Sequence, residues 1–239
     1  MEDIIWLKSV FLADGSEAGD PSKVPTSEGG NGIAGGSASP PRRDAGVLLL
    51  LDKKEGHWNV LLTVRSQHLR RHPGEVCLPG GMREEEDASI VETALRESFE
   101  EVGLQKECVE VICTLQPIRN RSNIIIYPVV ALLTQPFIPS GSEEVDDYFW
   151  MKMSAFLSAE NHSCLHNTSF EVHSFTAHGA NVFGITSFIC ILAAVAIYDR
   201  YPEFPMSVFQ KSEKSPREAL AVVLGEGIAG YQSLHRNKL

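Results

Sequence analysis

GMREEEDASIVETALRESFEEVGL, residues 81–104, is the stretch around which the chain is organised. Ser89 is placed to cap a helix, and Glu92 three residues later completes a capping-box pattern. Gly103 can supply the left-handed turn that ends a helix. Between them Val91, Ala94, Leu95, Ser98 and Val102 form an apolar or small stripe at helical spacing. On a neighbouring face stand Glu97, Glu100 and Glu101, at offsets of three and four. Like charges so placed repel by roughly a few tenths of a kcal/mol per pair. A hard divalent cation reverses that sign, because Mg²⁺ binds carboxylate oxygens and completes its shell with waters and substrate phosphates. Alone, E-x-x-E-E also reads as a solvated acidic face.

The neighbouring residues decide between the two. Arg96-Glu97-Ser98-Phe99-Glu100-Glu101-Val102-Gly103-Leu104 follows the R-E-U-x-E-E-x-G-U core of the Nudix box, where U is a bulky apolar residue. Gly81 stands where that box has its loop glycine. The chain resembles the Nudix hydrolases, with two departures. Fourteen residues separate Gly81 from Arg96, one more than usual. Counted forward the box acid is Asp87; counted back, Ala88 falls there. The role is assigned to Asp87, with the extra residue absorbed before the helix. Ser98 occupies an apolar position, where a small residue can still face a core.

Residues 61–81, LLTVRSQHLRRHPGEVCLPGG, carry a second signature. They are similar to the pattern L-L-T-x-R-[SA]-x3-R-x3-G-x3-[FL]-P-G-G of the coenzyme A diphosphatase subgroup. Leu61, Leu62, Thr63, Arg65, Ser66, Arg70, Gly74, Pro79, Gly80 and Gly81 fill it in register, and Leu78 stands where phenylalanine is commoner. The lengthened box is also found in the peroxisomal animal members. The resemblance implies an α/β fold, the Nudix α/β/α sandwich with a mixed β-sheet. It implies Mg²⁺ or Mn²⁺ on Glu97, Glu100 and Glu101, with a backbone carbonyl from Gly81 or its neighbour. Glu100, Glu101 or Glu144 would accept the proton of the attacking water. Arg96 would pair with Asp87 or Glu97 and orient it. Arg65, Ser66, Arg70, Arg71 and Gly80 would serve the substrate, coenzyme A or acyl-CoA. The competing expectations are another nucleoside diphosphate derivative, such as ADP-ribose, NADH or a capped nucleotide, and a non-catalytic binding module.

Composition sets the outer bounds. At 239 residues and 43% hydrophobic content the chain suits one medium domain with a buried core. A formal charge of −10 argues against nucleic-acid or anionic-membrane binding, so an anionic substrate needs locally placed cations. Cys77, Cys108, Cys113, Cys164 and Cys190 are odd in number and contain no C-x-x-C, as befits free thiols in a reducing compartment.

Residues 1–44 read as a disordered or weakly ordered extension, and 45–239 as the Nudix domain. Gly15–Gly36 is rich in Gly, Ser and Pro. Met1–Leu12 has an apolar cluster with two readings, a short helix that docks or a mistaken start. It lacks the arginines of a transit peptide. Ala45–Leu51 and Trp58–Arg65 read as a hairpin, followed by a basic loop, Gln67–Pro73. Val109–Pro117 and Ile124–Thr134 read as two more strands, with Tyr127-Pro128 marking a bulge or an edge. Glu144 precedes a strand at Tyr148–Lys152. His162, His166, His173 and His178 lie in a polar stretch with one strand, Ser169–Phe175. Their spacing matches no metal motif, so they read as loop histidines. Val182–Tyr198 reads as a buried helix on the sheet face opposite the acidic helix, and not as a membrane span. Ser215-Pro216-Arg217-Glu218 starts a last helix. The terminal Asn237-Lys238-Leu239 is a degraded peroxisomal address, so a peroxisomal import receptor is the expected partner, with a cytoplasmic location otherwise.

Overall fold

The computed structural model describes residues 1–11, 43–120, 122–167, 170–209 and 213–225. The glycine-rich stretch and the terminal tripeptide lie outside the described residues. Strand β1 (Arg43–Lys54) contains the continuous apolar run. Leu48 and Leu50 face one side of the sheet, Leu49 and Leu51 the other, and all four are fully buried. A strand covered on both faces needs no polar alternation, and each such leucine contributes about 1.5–3 kcal/mol by burial.

One edge of β1 pairs in parallel with β7 (Ile124–Leu133). The other edge meets β2 (His57–Arg65) at one end and β4 (Gly80–Met82) at the other, both antiparallel. β2 also pairs with β3 (Val76–Cys77) and β8 (Val145–Lys152). β7 pairs with β5 (Val109–Thr114) and β6 (Ile118–Arg119). One parallel pair in an otherwise antiparallel array makes the sheet mixed. Helix α2 (Ile90–Val102) lies on the Leu48–Leu50 face. The Leu49–Leu51 face is covered by α1 (Glu2–Phe11), α3 (Gly184–Tyr198) and α4 (Pro216–Gly225). This is the expected α/β/α sandwich.

Gly46 sets how closely α2 approaches. A Cβ there would lie 2.7 Å from the Ile90 carbonyl oxygen and 3.1 Å from the Ala94 nitrogen. Backbone cannot yield as a flexible side chain does. Gly46→Ala is therefore expected to destabilise the fold by about 1–3 kcal/mol, seen as a lower urea midpoint at unchanged m-value. An unchanged midpoint would mean that α2 shifts freely on the sheet.

Three local expectations change, and one left open is decided. Pro128 is not at an edge: β7 is central, between β1 and the β5–β6 pair. The Pro128 carbonyl accepts from Leu115 N–H, so its missing N–H faces the same side, where the ladder breaks between Thr114 and Ile118. The irregularity falls on β5, between Val111 and Cys113. The histidine stretch forms three strands, β9 (His162–Asn167), β10 (Phe170–Ala177) and β11 (Ala180–Phe183), paired as a second sheet. The β10–β11 turn holds His178 and Gly179 at φ 51° and 75°, as a tight hairpin requires. Val182 belongs to β11, so α3 begins two residues later than expected. The segment with two readings is a docked helix: Leu7 is fully buried, Lys8 pairs with Glu110 at 3.0 Å, and Trp6 stacks on Trp58 at 5.5 Å.

Among the described residues no helix is long and apolar enough to cross a membrane. At the start of α4, Ser215 N–H and Oγ–H both donate to Glu218, at 2.9 and 2.8 Å.

Candidate active site

The site is built where α2 crosses the β1–β4 pair. Ser89 caps α2 by accepting from Glu92 N–H at 3.2 Å, and Gly103 closes it at φ 73°. Ser98 is fully buried, its hydroxyl donating to the Ala94 carbonyl at 2.7 Å, which reconciles a serine with the apolar position.

The register of the lengthened box resolves in favour of Asp87. Its carboxylate is buried and accepts Arg96 Nε–H at 2.9 Å and Nη2–H at 3.0 Å. It also accepts Glu84 N–H at 3.0 Å and Thr93 Oγ1–H at 2.9 Å. Arg96 above all, then these other donors, hold Asp87 well below the usual carboxylate range. Ala88 offers only its carbonyl, 3.5 Å from Arg83 Nη2. Arg96 spreads over its remaining neighbours as a fork: Nη1 donates to Glu100 at 3.1 Å, and Nη2 to Glu97 at 3.3 Å and to the Met82 carbonyl at 3.1 Å. Its planar five-donor geometry suits that task in a way an ammonium does not.

The three helix acids sit in different surroundings. Glu97 lies directly on Gly81, where a Cβ would come 2.3 Å from its Oε1. Burial first, then the charges of Glu100 and Glu144, raise its pKa against the pull of Arg96. Glu101 is 3% exposed, accepts Gly80 N–H at 3.1 Å and lies 3.9 Å from Arg65 Nη1. Burial pushes it up to about 8, with Glu97 and Glu144 adding to the rise. Glu100 has an exposed side chain turned to Arg96. Gly80, at φ +149°, could carry no side chain: its Cβ would fall 2.3 Å from the Gly46 carbonyl. The two glycines thus let backbone reach both acids.

The remaining expected residues divide. Glu144 is exposed, but its charge is felt by both Glu97 and Glu101, so β8 brings it to the same mouth. Ser66 is buried, its N–H donating to the Glu144 carbonyl at 2.8 Å, so it fastens that loop instead of facing outward. Arg65 turns inward to Glu101, and its Nε is buried without a hydrogen-bond partner. Arg70 and Arg71 are exposed on the loop after β2 and form no ion pair among the described residues. Thr93 and Gly46 were not singled out from the sequence, and neither was Cys77, whose thiol lies 3.3 Å from Thr63 Oγ1 and is pushed by burial up to about 11.

Among the described residues no three acid, histidine or cysteine side chains surround one point as a formed metal site would. The donor chemistry still fits a hard divalent cation: crowded carboxylates with raised pKa values, glycine backbone beside them, and one acid, Glu100, on an exposed and adjustable side chain.

The NUDIX domain profile matches residues 40–168, just over half of the chain. The chain belongs to the Nudix hydrolase family. Among curated relatives of this hydrolase, the peroxisomal coenzyme A diphosphatase ndx-8 of Caenorhabditis elegans is 42% identical over 169 residues, covering 68% of this chain and 72% of its own length. The mouse (Mus musculus) peroxisomal coenzyme A diphosphatase NUDT7 is 35% identical, covering 66% and 72%. Nudix hydrolase 15, mitochondrial, of Arabidopsis thaliana is 33% identical, covering 69% of this chain and 61% of its own. As a member of the family the chain is a diphosphate hydrolase.

Proposed function

We propose that this Nudix hydrolase cleaves the diphosphate bond of coenzyme A and acyl-CoA, releasing adenosine 3′,5′-bisphosphate and 4′-phosphopantetheine or its acyl form. The observation that carries this reading is the continuity of the Arg65–Gly81 segment with the acidic helix. Arg65 and Gly80 both bear on Glu101, Gly81 bears on Glu97, and Arg70 and Arg71 are exposed between them in the chain. A loop of cations tethered at the reacting acids suits a substrate with a diphosphate and a further phosphate. The names of the worm and mouse relatives point the same way.

In this reading Glu97, Glu100, Glu101 and the Gly81 carbonyl hold Mg²⁺ or Mn²⁺. The cation supplies charge neutralisation at the phosphate oxygens and a more acidic water. Thr93 fixes Asp87, Asp87 fixes Arg96, and Arg96 in turn fixes Glu97 and Glu100. Glu100, Glu101 or Glu144 takes the proton from the attacking water. Arg65 and Gly80 steady Glu101, and Ser66 holds the Glu144 loop. A peroxisomal location completes the proposal, supported by the compartment in the two animal relatives' names.

The test is product analysis with coenzyme A, acyl-CoA, ADP-ribose and NADH, each with Mg²⁺ and with EDTA. Metal-dependent release of adenosine 3′,5′-bisphosphate from the coenzyme A substrates is expected. Preferential cleavage of ADP-ribose or NADH would keep the hydrolase and discard this substrate. Replacing Arg70 and Arg71 by Ala should raise KM for coenzyme A about 10–100-fold with kcat nearly kept, since charge-assisted hydrogen bonds are worth about 1.5–3 kcal/mol. The effect should shrink for the 3′-dephospho substrate; equal effects on both would remove these arginines from 3′-phosphate recognition.

A further inference from the structure

We propose that Cys164, His166, Glu171 and His173 form a second metal site on the β9–β10 ribbon, for a borderline cation of the zinc class. The proposal is independent of the substrate assigned above. Linear spacing hides these residues from one another, and strand register brings them together. Cys164 pairs with His173, and His166 with Glu171. Alternate residues of a strand share a face, so all four project from the same side of the ribbon.

Their separations are those of neighbouring ligands. Cys164 Sγ is 4.0 Å from His166 Nδ1, His166 Nδ1 is 3.6 Å from Glu171 Oε1, and Glu171 Oε2 is 3.7 Å from His173 Nε2. A tetrahedral shell with bonds of about 2.0–2.3 Å spaces its ligands by roughly 3.3–3.8 Å. The four are strung in a row and do not yet surround one point. His166, with 60% of its side chain exposed, is the member free to swing inward.

A second observation points to a ligand. His173 is 4% exposed, and its Nε2 is buried with no hydrogen-bond partner. That nitrogen faces a carboxylate beyond hydrogen-bond reach, an arrangement that costs free energy unless a cation lies between. The other ring nitrogen, Nδ1, stands 3.0 Å from His162 Nε2, and His162 stacks on Phe204 at 3.6 Å. Glu171 is pinned by Ser207, whose N–H and Oγ–H donate to its Oε2 at 3.0 and 2.8 Å. Such outer partners are what orient metal ligands. A mixed sulfur, nitrogen and oxygen set selects a zinc-class ion over Mg²⁺. As the metal–sulfur bond forms, the Cys164 thiol releases its proton to solvent, while both imidazoles bind neutral. The site would clamp the ribbon to the segment carrying Phe204 and Ser207.

The experiment is Co²⁺ titration of the chelator-stripped full chain in excess Mg²⁺, which occupies carboxylate sites. A near-ultraviolet thiolate-to-cobalt band at a single equivalent is expected, displaced by Zn²⁺. Cys164→Ser should abolish it, and Glu97→Gln and Glu101→Gln should keep it. His162→Phe, which preserves the ring stack, should weaken affinity about 10–100-fold. Circular dichroism of the stripped Cys164→Ser protein checks its fold; if that variant does not fold, loss of affinity in the exposed His166→Ala carries the same test. A wild-type protein with no thiolate band, or a band undiminished in Cys164→Ser or in His166→Ala, overturns the proposal.

Discussion

Glu101→Gln is expected to lower kcat by about 10²–10⁴-fold and, in EDTA, to raise the melting temperature of the same protein. Both effects follow from one placement. Glu101 is almost wholly buried between Gly80, Arg65 and Glu97, and burial pushes its carboxyl up to about 8. An acid whose pKa rises on folding costs no stability below its ordinary value, where it is protonated in both states. The penalty grows as pH climbs from there toward about 8, at 1.36 kcal/mol per pKa unit. Near neutral pH, roughly two and a half units above that ordinary value, relief of about 3 kcal/mol is expected, because a glutamine keeps the acceptor for Gly80 N–H and discards the charge. Glu100→Gln supplies the contrast. Its side chain is exposed and, among the described residues, ion-paired with Arg96, so kcat should fall without a gain in stability. Steady-state rates in Mg²⁺ and thermal melts in EDTA read the two effects separately. Near-wild-type kcat in both variants would remove these acids from the reacting centre.

Asp87→Ala is expected to lose about 3–5 kcal/mol, because it strands Arg96 in a half-buried fork with its main partner gone. At about 2–4 °C per kcal/mol for a chain of this size, the melting temperature should drop by roughly 6–20 °C. The double variant Asp87→Ala, Arg96→Met should recover much of that loss, since removing both charges leaves neither unpaired. The pair's pH dependence has the opposite sense to that of Glu101. A depressed folded pKa gives stability that is present above the ordinary carboxylate value and lost only as pH falls through the lower, folded one. The wild type should therefore keep this contribution at about pH 4, where exposed acids already titrate. If Asp87→Ala melts with the wild type at neutral pH, the network is ornamental to the fold.

The parts of the site that were legible in the sequence are the local ones. Ser89, Gly103 and the offsets of Glu97, Glu100 and Glu101 lie within one helix, so their relations follow from helical geometry alone. The pairing of Arg96 with Asp87 was also foreseen, since both belong to one motif. What the linear reading could not supply is what the sheet brings in. Gly46 is inconspicuous in an apolar run until α2 crosses it. Thr93 looks like any polar helix residue until Asp87 turns beneath it. The resemblance assigns Arg65 to the substrate, and only the folded sheet brings its side chain beside Glu101. Pro128 misled because the edge rule assumes an unbroken neighbour, and here β5 and β6 leave a gap. The β9–β11 ribbon was mostly missed because its polar residues mask the alternation. The His178–Gly179 turn was its clearest sign.

The stacking of Trp6 on Trp58 has an optical consequence. Two indoles with ring centroids 5.5 Å apart and planes inclined by 12° couple as an exciton pair. They join the first helix to the β1–β2 hairpin whose far end carries Arg65. The amplitude of that couplet in the circular dichroism spectrum is thus a label-free gauge of whether the amino-terminal helix is seated, readable while substrate or metal is added at the opposite end of the same strand.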